Sequence, residues 1–231
     1  TAMPKSGGDY FYINRSFGPL FGTFAGFATW FSLSLKSAFA LVGIGIFLEP
    51  LIPVYSPMMV KALAVGFTIL FTVLNILSVK ESSRVQVILV MLLLAILGLF
   101  IIGGAPKIDI QNFESFYSGK GYKQFISAVG MIFISYGGLT KIASVAEEIK
   151  NPARTIQTGM FSAYVVVTIF YTLVIFIVTG ILPEEVFSGS LRPISDAALV
   201  IAGKPGFYIL SIAAMLAFVS TANAGLMASS R

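Results

Sequence analysis

The stretch FISAVGMIFISYGGLTKIASVAEEIKNPARTI, residues 125–156, decides how the rest of the chain is read. It opens as an apolar run from Phe125 to Ile134 and meets Ser135-Tyr136-Gly137-Gly138. It resumes as a shorter, more polar helix from Leu139 to Ile149 and stops at Asn151-Pro152. Adjacent glycines are poor helix formers. In hydrocarbon a released carbonyl or amide must find a partner or costs several kcal/mol, so a break at this depth needs protein or a water-filled site around it. Helices broken near the bilayer midplane are one way that membrane carriers present backbone groups to a solute. The plainer alternative is that Gly137 and Gly138 let a neighbouring helix approach closely. Length favours the break. Tyr122 to Ile149 is 28 residues, about 42 Å as one continuous helix, against roughly 30 Å of hydrocarbon. Strong tilt would absorb the excess; an unwound middle also explains it.

Working outward, the 231 residues are 57% hydrophobic and 11% charged, with mean hydropathy +0.92. Soluble domains carry about 25% charged residues, so this composition belongs to an integral membrane protein. Barrel strands would alternate apolar and polar residues, and the long apolar runs here read as helices. There is no cysteine and no histidine. That excludes a disulfide framework, a thiolate metal site and the commonest general base. Phosphate-binding glycine loops and nucleophile elbows are missing too, so neither an enzyme nor a cofactor site is expected. The net charge of +5 is spread over loops and is no nucleic-acid footprint. The chain opens at TAMPKSGG without an initiator methionine and reads as an internal piece of a longer protein, forming a single partial transmembrane domain over residues 1–231.

Six apolar segments are expected, near residues 20–48, 58–77, 85–104, 122–149, 158–182 and 205–227. Residues 1–18 read as a loop plus the start of a helix, and Ser78 to Arg84 as a short polar link. Asp196 to Ile201 reads as a short helix on the membrane face. Six spans put alternate loops on opposite sides. One side holds Lys5, Arg15, Lys80, Arg84, Lys150, Arg154 and Arg231; the other holds Lys61, Lys107, Lys120, Lys123, Arg192 and Lys204. The first side also has the two short links between spans, where positive charge is informative, and is placed in the cytoplasm.

Three stretches carry a resemblance: PKSGGDYFYINRSFGPLFGTFAGFATW (4–30), FISYGGLTKIASVAEEIKNPARTI (133–156) and STANAGLMASSR (220–231), with NILSVKESSRVQ (75–86) fitting between them. Together they resemble the amino acid–polyamine–organocation superfamily of permeases over essentially the whole chain. The pairing of EEIKNPAR with a glycine-broken helix is the specific part. The resemblance implies an all-α membrane protein with two inverted five-helix repeats, of which this chain would hold helices three to eight. It implies secondary transport of amino acids or related amines by alternating access, in the cell membrane. The alternative is a channel-like or sensory protein on the same fold. The family's first helix, which holds the ends of the substrate, would lie outside this chain. Oligomeric state is not legible.

The resemblance also directs attention to particular residues. Ile134, Ser135, Tyr136, Gly137 and Gly138 match the family's substrate-facing segment. Carbonyls freed there, at the partially negative end of a half-helix, would accept bonds from a substrate ammonium. Phe133 and Tyr136 could gate the site, or simply pack. Ser37 and Trp30 fall where the family's third helix lines the pocket; otherwise Ser37 bonds its own helix. Lys36 stands mid-segment, where a charge costs about 2.5–3.5 kcal/mol on insertion scales. It is expected to face an interior or aqueous path, with snorkelling as the alternative. Residues four apart share a helix face, so Ser32, Lys36 and Ala40 form a small stripe away from Phe31, Leu35 and Phe39. Ser220 and Thr221 match a hydroxyl pair that helps hold sodium in some members. Other members place a lysine in the fifth helix instead, and Met91 to Leu94 contains none. The coupling ion, H+ or Na+, stays open. Glu147, Glu148, Lys150 and Arg154 read as a structural charge run.

Overall fold

The computed structural model describes residues 8–51, 56–77, 79–117, 121–136, 149 and 151–229, and among them it is helical throughout with no strand. The helices are α1 (Gly8–Phe17), α2 (Pro19–Leu48), α3 (Pro57–Leu77), α4 (Val79–Gly104), α5 (Gln111–Tyr117), α6 (Tyr122–Tyr136), α7 (Pro152–Ile181), α8 (Glu184–Gly189) and α9 (Pro193–Ser229). Four stretches among the described residues are long and apolar enough to cross a membrane: Pro19–Leu51, Gln86–Lys107, Arg154–Ile181 and Pro193–Leu226. Over the described residues the apolar segments expected from the sequence thus appear as helices of an all-α membrane protein, the fourth only as far as Tyr136. Outward-facing Phe24, Ile88 and Phe161 are each about 70% exposed. A soluble chain rarely shows such continuous apolar surface; hydrocarbon requires it.

Contacts divide the chain into two compact units, Thr1–Ser37 with Lys120–Thr168 and Gly225–Arg231, and Ala38–Gly119 with Ile169–Ala224. In the first, residues 8–17 form a helix of their own where a loop and the start of the next helix were expected. Gly18 (φ 88°) stops α1 in a left-handed conformation suited to glycine, and Pro19 starts α2, the usual stop-and-restart chemistry. α1 then lies against α2 where α2 has no side chains. A Cβ on Gly22 would stand 2.5 Å from Asn14 Cβ, and one on Gly26 3.2 Å from the Tyr10 ring. Small residues four apart let two backbones meet this closely.

The second unit holds two cores. Phe100 of α4 packs with Val174, Ile177 and Val178 of α7 and with Ala197, Ala198 and Leu210 of α9. Ala40, Leu41 and Ile44 of α2 pack with Ala222 of α9. The link expected over Ser78 to Arg84 is shorter than read, because α4 already begins at Val79. Charged and polar residues at the start of a helix look like a loop by composition alone.

α9 is two arms. Its backbone leaves the helical region at Gly203 (φ 68°, ψ −157°). A straight helix would place Ser195 and Ser211 about 24 Å apart, yet the Ser211 hydroxyl donates to Ser195 Oγ at 3.1 Å. The first arm therefore folds back on the second, and the short helix expected at Asp196 to Ile201 is that arm. Pro205 has no N–H to bond the carbonyl of Ile201. Lys107 supplies the donor, giving Nζ to Val200 O at 2.9 Å and Ile201 O at 2.7 Å.

Candidate substrate site

The interruption expected over Ser135 to Gly138 is absent at Ser135 and Tyr136. α6 continues through Ile134, Ser135 and Tyr136, and the Ser135 hydroxyl donates back to Met131 O at 3.1 Å as in any helix. Helix propensity at Ser135 and Tyr136 is adequate once the preceding turns are formed, because elongation is easier than nucleation. Gly137 and Gly138 lie outside the described residues, as does the run to Glu148.

Tyr136, the last described residue of α6, is fixed against α7. Tyr136 donates its hydroxyl to Thr168 Oγ1 at 3.0 Å, and its ring lies 5.5 Å from that of Tyr164, tilted by 47°. Tyr164 and Thr168 are one turn apart on the same face of α7. Arg154 and Ile181 bound the apolar span of that helix. Thr168 is about 21 Å along it and Tyr164 about 15 Å, at 1.5 Å per residue. The described part of α6 thus reaches the middle of the membrane-crossing stretch of its neighbour and meets hydroxyls and aromatic rings there. Phe133, the other gate candidate, is 78% exposed. The sequence reading missed Tyr164 and Thr168. Their signal was a pair of polar side chains at helical spacing, diluted in a Val-, Ile- and Phe-rich segment by Ser162, Tyr171, Thr172 and Thr179.

The remaining candidates have different neighbours. Trp30 is 54% exposed and lines an apolar hollow of about 330 Å³ with Tyr10, Thr23, Gly26 and Phe27, between α1 and α2. Ser37 is 3% exposed; its hydroxyl donates to Leu33 O at 2.9 Å, so only its lone pairs remain for another partner. Gly225 of α9 lies directly over it, close enough that a Cβ there would be 1.9 Å from Ser37 Oγ. Lys36 is half-buried; on its face Ala40 is buried, whereas Phe31 and Phe39 are exposed. Ser32, the third member of the small stripe, is exposed, so the stripe turns inward only toward Ala40, while the bulky Phe31, Leu35 and Phe39 face outward.

Ser220 and Thr221 sit near the end of α9, and Ser220 is buried. Ser220 Oγ accepts a hydrogen bond from Gln86 Nε2 of α4, a partner the sequence reading did not foresee. Gln86 Oε1 is buried and has no partner among the described residues. Among those residues no cluster of three or more metal-binding side chains occurs.

The sequence was then compared with known proteins. Residues 1–231 match the family described as "Amino acid permease". The branched-chain amino acid permease BcaP of Bacillus subtilis is 36% identical over 54% of this chain and 26% of its own length. The permease of the same name from Lactococcus lactis is 28% identical over 85% of this chain and 47% of its own length. The methylthioribose transporter of Bacillus subtilis is 29% identical over 71% of this chain and 35% of its own length. The chain spans between about a quarter and a half of these relatives.

Proposed function

Because the chain belongs to the amino acid permease family over residues 1–231, we propose that the whole protein carries amino acids or closely related solutes across the cell membrane by alternating access. Such a protein is a carrier and not an enzyme. Its substrate sits where α6 meets Gly137 and Gly138, with Ile134, Ser135 and Tyr136 on one side of it and Ser37 and Trp30 in the walls. The observation that carries this reading is the position of Tyr136, held by Thr168 and Tyr164 in the middle of the α7 span. A helix broken at Gly137 and Gly138, as the sequence leads one to expect, would offer carbonyls and a partial negative charge there to an ammonium group. The relatives named above are permeases or transporters of branched-chain amino acids and of methylthioribose, which supports a small polar solute without choosing one.

Lys36, Ser220 and Thr221 are the residues through which a driving ion, H+ or Na+, would act in this reading. Lys36 is half-buried, one turn before the buried Ala40 of α2, and Ser220 already engages Gln86.

The test is counterflow with the full-length protein in proteoliposomes. A carrier loaded with unlabelled amino acid draws in labelled amino acid; a sensor on the same fold binds it without flux, and that outcome would replace the reading. In the same vesicles, Lys36→Met at matched protein content should change uptake or its dependence on external pH. Unchanged uptake, affinity and pH profile would leave Lys36 a snorkelling residue.

A further inference from the structure

We propose that Tyr164 of α7 reads whether the substrate's side chain carries a hydroxyl group, an inference that rests on the transport reading above. Tyr164 lies about 15 Å into the span that starts at Arg154, close to the middle of roughly 30 Å of hydrocarbon. A phenol hydroxyl left bare at that depth is costly, because nothing in hydrocarbon can hydrogen-bond to it. Tyrosines in such places pair their hydroxyls or turn them to a polar space. Tyr136, its ring neighbour, has done so by donating to Thr168 at 3.0 Å. Tyr164 has not: it is 47% exposed, and among the described residues its hydroxyl has no hydrogen-bond partner while its ring lies 5.5 Å from that of Tyr136.

The two rings make an aromatic wall between α6 and α7, and that wall carries one hydroxyl still to be engaged. An apolar surface accepts an aliphatic or aromatic side chain by burial. A hydroxyl in that surface changes the ranking. It gains a bond from a hydroxylated side chain and is left unpaired by the isosteric methyl. Sites with a built-in polar group discriminate against the analogue that lacks its partner more strongly than a purely apolar pocket rejects an added hydroxyl.

The experiment uses full-length protein in proteoliposomes and two isosteric pairs, L-threonine with L-valine and L-tyrosine with L-phenylalanine. Each competes against whichever of the four gives the largest counterflow signal. In the wild type the hydroxylated member of a transported pair should compete better. In Tyr164→Phe, which keeps the ring and the packing against Tyr136, that preference should fall by about three- to tenfold, the worth of one net hydrogen bond. The apolar member should bind at least as well as to the wild type, because no hydroxyl is then left unpaired against it. A preference that survives in Tyr164→Phe overturns the assignment, and so does a wild type that treats threonine and valine alike, a result that needs no variant to fold. Flux of none of the four would instead defeat the amino acid transport reading and this inference with it.

Discussion

Gly225 and Ser37 show how far a single position can be read without its neighbour. Ser37 stood out in the sequence as a hydroxyl in a pocket-lining stretch. The structure gives the hydroxyl to Leu33 O and sets Gly225 against it. Helix periodicity indicates which residues share a face, but not which residue of a helix 188 positions later will lie over that face; Gln86 with Ser220 and Tyr136 with Thr168 were hidden for the same reason. The contact makes a sharp prediction. A methyl at Gly225 would stand 1.9 Å from Ser37 Oγ but 3.2 Å from Ser37 Cβ. Gly225→Ala should therefore lower stability by about 1–3 kcal/mol, the range for overpacking. The double change with Ser37→Ala, which removes the clashing oxygen and leaves only a tight contact, should recover most of it. Thermal unfolding of the detergent-solubilised protein measures both. A single variant as stable as the wild type, or a double variant no better than the single, would show that the two helices can separate at this point.

At the scale of elements, the bent helix α9 was half legible. Pro205 and the apolar run from Asp196 to Ile201 announce a short arm followed by a long one, and both are present. What composition could not show is that the arms fold together through Ser195 and Ser211. Nor could it show that Lys107, at the far end of α4, would supply the donor that Pro205 lacks. That cation also sits at the negative end of the short arm, where positive charge is favourable. Lys107→Met keeps the stem and removes three donors. The two carbonyls are near the water-facing end and can regain solvent, so the cost should be roughly 1 kcal/mol. That corresponds to an unfolding midpoint about 2–4 °C lower for a chain of this size. Lys107→Arg, which still donates, should lie between. Amide exchange over residues 198–203 should rise in Lys107→Met if the lysine holds the end of the arm; exchange equal to that of the wild type would mean that the packing of Ala198 and Leu210 holds it unaided.

For the whole molecule, the question is which way the chain faces. Parity of the spans placed the loops of Glu49, Lys107 and Arg192 on one side. Bonds within the second unit bring those ends together: Arg192 lies 3.8 Å from Glu49, Lys107 bonds Ile201, and Asn112 donates to Gly180 O at 3.0 Å. The ends of α2, α4 and α7 and the start of α9 thus share one face of that unit, while Gln86 meets Ser220 toward the opposite ends of α4 and α9. Parity and packing agree on sidedness, but neither says which side is the cytoplasm. Charge does that. The short connections around Lys80, Arg84, Lys150 and Arg154 are basic, and positive charge in short loops is retained inside. The sequence has no native cysteine over these residues, which makes the prediction clean. In a full-length protein otherwise free of cysteine, Ser82→Cys should react with a membrane-impermeant maleimide only after the cells are opened. Ile110→Cys, at a position 78% exposed beyond the far end of α4, should react in intact cells. Labelling of Ser82→Cys from outside, with Ile110→Cys protected, would invert the orientation and put the loops of Lys107 and Arg192 in the cytoplasm.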